Sequence, residues 1–175
     1  MDEWMRPVID FVRDHHVWAA PIVFVLAFGE SLAFISLFVP AWGALVAIGM
    51  MVSVSEISFW PVWLAGAIGA GLGDWVSYWV GHRFKHNIYD MWPLYKYPHL
   101  VKQAEKFVSY WGVVGIFIGR FSGPLRATVP LVAGIFEMPY LKFQLANFSS
   151  AFVWSAMLLL FGDSITKIGS LIWGG

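Results

Sequence analysis

The sequence predicts an all-α integral membrane protein. Its plan is two broken, re-entrant helical hairpins related by an inverted repeat, with transmembrane helices and an N-terminal amphipathic helix around them. Three observations predict this. Hydrophobic residues fill 59% of the 175 positions and charged residues only 13%, with a mean hydropathy of +0.67; about a quarter of an ordinary soluble domain is charged. The apolar runs are continuous rather than alternating, which argues for helices and against a β-barrel. Two of the runs are too long for one span of ~20 residues and are interrupted by proline and glycine. The net charge is zero, so no nucleic-acid partner is expected, and there is no cysteine for a disulfide framework or a Cys-based metal site.

Residues 1–16 read as an interfacial amphipathic helix, with Trp4, Met5, Val8, Phe11 and Val12 at helical spacing between Asp and Arg. A solvated tail is the alternative. Residues 17–175 read as a single membrane domain. The start lacks the basic n-region and the cleavage site of a signal peptide. The chain is therefore expected to stay intact and insert through its own apolar segments. Val17 to Ser55 carries one charge, Glu30, and has Pro40 and Gly43 in its middle. A helix followed by a re-entrant hairpin fits this length; a kinked, strongly tilted span is the alternative. Ile57 to Gly81 is long enough to cross once and holds Asp74. Gly66, Gly69, Gly71 and Gly73 on it would let another helix come close, and a homodimer through this face is one option.

Residues 82–106 read as an aqueous loop. Arg83, Lys85, Lys96, Lys102 and Lys106 stand against Asp90 and Glu105, which places the loop in the cytoplasm. Trp92, Tyr95 and Tyr97 around Pro93 and Pro98 read as interfacial anchors. Phe107 to Met138 is the second broken run, Phe143 to Phe161 is a clean final span, and residues 163–175 are too short to cross again.

The chain is organised around Gly119–Gly134, GRFSGPLRATVPLVAG. Arg120 and Arg126 stand there in otherwise apolar or small sequence, and Pro124, Pro130 and Gly134 are read as hairpin breakers, like Pro40 and Gly43 in the first run. Arginine at a bilayer centre costs about 2.5–3.5 kcal/mol even on insertion scales. It is tolerated where the guanidinium meets an anion, a carboxylate or water. Broken backbone at that depth is tolerated only where it is buried in protein or lines a cavity. The two together predict a site for something negatively charged. Half-helix N-termini beside the arginines would add backbone N–H donors.

An echo supports the repeat. Gly29-Glu30 precedes Val39-Pro40 as Gly119-Arg120 precedes Val129-Pro130, ninety residues on. Paired interrupted segments mark repeat-built transporters with a midplane site. If the repeat holds, Glu30 and Arg120 occupy equivalent places on opposite sides of one site.

Ionisable residues within the membrane are functional candidates by default: here Glu30, Asp74, Arg120 and Arg126. The competing reading is that they only neutralise one another as structural pairs. Asp74 is open between capping, pairing with Arg83 and pairing with a site arginine, and Asp74 and Asn147 are candidates for proton coupling or site support. Asn147 and Trp154 share a face of the final span. The histidines lack metal-ligand pairing, so no metal and no cofactor are expected. There is no Gly-x-Ser-x-Gly elbow and no P-loop, and Ser122 between the arginines has no base with a claim on it, so the chain reads as a non-enzyme.

With these residues placed, the sequence resembles the DedA family of bacterial membrane proteins, which contain the VTT or SNARE-associated domain. The resemblance runs from about Phe24 to Gly162. Its most specific part is GRFSGPLRATVPLVAG, similar to the family's Gly-Arg-Phe, Pro-x-Arg and Pro-x-x-Ala-Gly pattern. Glu30, the Gly-Asp-x-x-x-Tyr-x-x-Gly run at Gly73–Gly81, and Phe143 with Trp154 support it. The resemblance implies re-entrant hairpins that meet in the membrane and a location in the bacterial cytoplasmic membrane. It also implies a link to returning undecaprenyl phosphate across that membrane, or to proton-dependent transport and envelope stress; eukaryotic relatives are linked to lipid scrambling. Glu30, Arg120 and Arg126 match the family's essential acid and arginines. Two departures stand out. Many members carry Pro-Gly-Asp where this chain reads Pro40-Ala41-Trp42, so a two-carboxylate coupling scheme needs Asp74 as substitute. The family's usual final hydrophobic segment is not seen before Gly175.

The expectation is a small transporter that moves a polyprenyl phosphate between leaflets. Arg120 and Arg126 hold the phosphate, and Glu30 balances an arginine when the site is empty and is the candidate for proton exchange. A proton-coupled small-solute antiporter, a nonspecific phospholipid scramblase and an assembly protein are the alternatives.

Overall fold

The computed structural model describes residues 16–32, 42–54, 57–85, 87, 94–96, 98–123 and 125–173. Among these, every regular element is helical: α1 (Ala19–Ser31), α2 (Trp42–Val54), α3 (Phe59–Phe84), α4 (Pro98–Gly119), α5 (Leu125–Ile135) and α6 (Tyr140–Trp173), with 3₁₀ turns at His16–Trp18 and Leu94–Lys96. Residues 1–15 of the expected interfacial helix, and Pro40, Asp90, Trp92, Pro93, Tyr97 and Pro124, lie outside the described residues.

Local chemistry sets the ends. Pro61 sits in the first turn of α3 and Pro98 opens α4, where a missing N–H costs nothing. Residue Leu32 leaves α1 in extended backbone. α5 closes when Met138 N donates to Ala133 O and Glu137 N to Gly134 O, both at 3.0 Å, with Glu137 at φ 52°. That is a Schellman ending in which a glutamate holds the left-handed position usually given to glycine. Lys85, at φ 47°, ends α3, and its Nζ lies 2.6 Å from Glu137 Oε1 in an exposed ion pair.

α3 and α6 form the centre. α1 lies along α3, α2 along α6, α5 against α3, and α4 against α5 and α6. Two apolar clusters result. One gathers Tyr78, Val101, Ala104, Val108, Ile116, Val129, Leu131 and Phe143, with Tyr78 stacked on Phe143 at 4.3 Å between centroids. The other gathers Val23, Ala27, Leu45, Val62, Ala70, Trp154 and Leu159. Along α3 the second cluster ends at Ala70 and the first begins at Tyr78; along α6 the change falls between Ala146 and Ala151. The polar residues Asp74, Asn147 and Ser150 fill that gap.

The glycines of α3 are used within the chain. A Cβ on Gly69 would stand 2.5 Å from Phe24 O, one on Gly71 2.5 Å from the Phe148 ring and one on Gly73 2.6 Å from Phe28 O. The face 66–73 is thus packed against α1 and α6 of the same chain.

Four expectations about the helices change. Pro130 and Gly134 do not break a hairpin: both lie inside α5, where Pro130 is buried and Gly134 packs against the backbone of Tyr78 and His82 on α3. Gly43 lies in the first turn of α2 rather than between helices. The segment 82–106 is not all loop, because α3 runs to Phe84 and α4 starts at Pro98. Leu100, Val101 and Ala104 are buried there while Lys102, Gln103 and Lys106 face out, an amphipathic turn pattern. α6 also runs past Phe161 to Trp173; its part Tyr140–Leu171 is, among the described residues, the one helix long and apolar enough to cross a membrane.

Candidate functional site

Four charged residues meet in the gap between the clusters. Glu30 comes from the last turn of α1, Asp74 from the middle of α3, Arg120 from the residue after α4, and Arg126 from the first turn of α5. Gly73 brings the first two together: its missing side chain lets the end of α1 reach α3, where Ser77 Oγ donates to Ser31 O at 3.2 Å. The turn between α4 and α5 brings the arginines together. Phe121 N donates to Ile118 O and Ser122 N to Gly119 O, both at 3.0 Å, and Gly123 takes φ +56°, a conformation that glycine adopts without a Cβ penalty. Leu125 N and Arg126 N donate to Ser122 O and Gly123 O at 3.3 and 3.2 Å. These two N–H groups of α5 are therefore already engaged, which corrects the expectation that they are open to an anion.

Arg120 is gripped on several sides. Its Nη2 donates to Asp74 Oδ2 at 2.5 Å and to Asn147 Oδ1 at 2.7 Å, and its Nε donates to Ser150 Oγ at 2.9 Å. Asn147 is itself oriented, because its Nδ2 donates to Gly71 O at 2.9 Å. Arg126 is held more lightly. Its Nη1 donates to Glu30 Oε1 at 2.6 Å, and its guanidinium carbon lies 4.4 Å from the centroid of the Trp154 ring. The side chain of Arg120 is 2% exposed and that of Arg126 11%. Among the described residues four buried side-chain atoms have no hydrogen-bond partner: Glu30 Oε2, Ser31 Oγ, Arg120 Nη1 and Arg126 Nη2.

All five described candidates that bear charge or an amide (Glu30, Asp74, Arg120, Arg126 and Asn147) are therefore brought together. The echo puts Glu30 opposite Arg120, but the pairing is crossed: Glu30 meets Arg126, and Asp74 meets Arg120 rather than Arg83. Ser150 was legible only as the residue one turn beyond Asn147 on the same helix face, and the Trp154 ring under Arg126 had no signal beyond that shared face. Among the described residues no group of His, Asp and Glu could hold a metal ion.

The arrangement buries two positive and two negative charges without excess, and leaves two guanidinium NH₂ groups, Arg120 Nη1 and Arg126 Nη2, without an acceptor. Bidentate donors of this kind suit a phosphate or carboxylate.

The VTT domain model matches residues 39–164. The chain is 36% identical over 152 residues to inner membrane protein YabI of Escherichia coli (strain K12), covering 87% of this chain and 60% of that one. It is 30% identical over 154 residues to the uncharacterized membrane protein BU139 of Buchnera aphidicola, covering 88% and 59%. It is 26% identical over 150 residues to inner membrane protein YqjA of Escherichia coli (strain K12), covering 83% and 67%. The chain thus spans about 60% of the length of the first two relatives. No solved structure matches it. The chain belongs to the DedA family of VTT-domain membrane proteins.

Proposed function

We propose that this chain is a multi-pass protein of the bacterial cytoplasmic membrane that moves a polyprenyl phosphate, undecaprenyl phosphate, between leaflets. One observation carries the reading: two buried arginines beside one turn each keep a buried N–H without an acceptor. A phosphate oxygen is the acceptor that this pair of forks fits. The lipid tail stays in the bilayer, so only the head group needs a polar path. Arg126 takes the phosphate first, because a single hydrogen bond to Glu30 holds it on its polar side. Arg120 completes the site with its remaining N–H and stays anchored on Asp74.

Charge balance ties the anion to a proton. The empty site is neutral, with two acids against two bases. A phosphate monoester bound as its monoanion in place of Glu30 adds one negative charge, and one proton on Glu30 removes it again. On this reading the turn after α4 belongs to one of two re-entrant hairpins related by an inverted repeat, and the segment between α3 and α4 is cytoplasmic.

The test is leaflet exchange of undecaprenyl phosphate in liposomes that hold the purified protein, beside Arg126→Gln. Exchange by wild type and none by the variant is expected. No exchange by folded wild type overturns the reading and favours a proton-coupled antiporter of small solutes, which the free Oε2 of Glu30 would serve. Equal exchange of phosphatidylethanolamine would make the protein a nonspecific scramblase.

A further inference from the structure

Arg126 meets its neighbours through two different surfaces of one guanidinium. At the edge, Nη1 donates to Glu30. At the face lies the indole of Trp154, 4.4 Å away and itself buried. The edge contact uses an N–H donor and the face contact uses none. An anion can therefore replace Glu30 at the edge without disturbing the ring beneath. We infer that Trp154 is a positioning residue of the anion site, which keeps Arg126 aimed while its edge exchanges one acid for another. The inference rests on the reading that Arg126 takes the phosphate.

The placement of Trp154 supports this. Asn147, Ser150 and Trp154 follow one another at helical spacing along one face of α6. The first two hold Arg120 by oxygen atoms, and the third holds Arg126 by a ring. One rigid helix thus fixes both arginines against a common frame. A free arginine side chain would lose much rotamer freedom at each capture. One already stacked on an aromatic face has lost that freedom beforehand, which is preorganisation. Stacking also explains a need for arginine at 126, because the flat guanidinium can stack and fork at once and an ammonium cannot.

The experiment measures binding of inorganic phosphate in detergent and undecaprenyl phosphate exchange in liposomes, for wild type, Trp154→Met and Trp154→Phe. Trp154→Met keeps apolar filling without a ring face. It should raise the phosphate Kd and the half-saturating lipid fraction by roughly 2- to 30-fold, the span of a cation–π contact. The maximal exchange rate should stay within about twofold. Trp154→Phe should recover most of the affinity, since Phe supplies a ring face. Should Trp154→Met not fold, uniform incorporation of tryptophan bearing successively more fluorine keeps the shape and weakens the ring face. Phosphate affinity then falls stepwise if the inference holds and stays level if it does not. Wild-type affinity in Trp154→Met overturns the role of Trp154 and leaves the phosphate reading standing. Trp154-dependent phosphate binding without lipid exchange supports the role and overturns the lipid reading. No phosphate binding by wild type overturns both.

Discussion

Arg120 and Arg126 stand on the two sides of one turn, yet the molecule holds them by different means. Arg120 has a carboxylate, an amide oxygen and a hydroxyl as partners, and its Asn147 partner is in turn tied to the α3 backbone. Arg126 has one carboxylate oxygen and one aromatic face. A charge gripped from several sides at 2% exposure is part of the framework. A charge with one polar partner, whose partner also keeps an unfilled oxygen, is poised to exchange. The contrast teaches that two buried ion pairs in one site need not share a role: on the proposed reading Arg120–Asp74 is the clasp and Arg126–Glu30 the latch.

The comparison can be broken at its strong end first. Asp74→Ala leaves Arg120 buried without its counter-charge, and removal of one partner of a buried pair costs about 3–5 kcal/mol. Unfolding in detergent should register that loss; a change below about 1 kcal/mol would mean that the clasp is not structural. Next comes Asn147→Ala, which takes an acceptor from Arg120 and a donor from Gly71 O. Its expected cost is about 2–3 kcal/mol by the same measurement. Glu30→Gln also removes a counter-charge, but the amide oxygen still accepts and the ring of Trp154 remains, so it should cost less, about 2 kcal/mol. Leaflet exchange should nevertheless lose its pH dependence, because the group proposed to take the proton is gone. A Glu30→Gln variant as unstable as Asp74→Ala would erase the distinction between the pairs.

The smallest effect is expected at the exposed pair Lys85–Glu137. Hydrogen bonding and charge from Lys85 hold the Glu137 carboxyl below its ordinary 4.5, with His82 adding to the effect. With the folded value below the unfolded one, any stabilisation is complete above 4.5 and fades as pH falls through the lower, folded value. Lys85→Gln should therefore leave the melting temperature at neutral pH unchanged within error. A clear shift would show that this surface pair braces the meeting of α3 with the α5–α6 turn.

The membrane class and the charged members of the site were legible in the sequence because an ionisable residue in an apolar run stands out by itself. Their partners were not. Glu30 and Arg126 are joined by the packing of α1 on α3 and of α5 on α3, and no local spacing encodes such contacts. Pro130 misleads for a different reason. Proline removes one helix hydrogen bond, but α5 is short and packed on α3, and tertiary burial keeps it helical through that position. Leu100, Val101 and Ala104 were hidden among lysines, since charge count outweighs a periodicity that becomes visible only when one face is known to be covered.

Gly112 interrupts α4 with φ 54° and ψ −130°, so that element is two helices end to end rather than one. The backbone bends at Gly112, between 98–111 and 113–119. Each half can then open and close its hydrogen bonds as a separate cooperative unit. Deuterium would enter the outer half at its own rate, and a transient melting there would stop at the glycine. The short half 113–119, which ends just before Arg120, would keep its amide protons for as long as the charge beyond it stays paired.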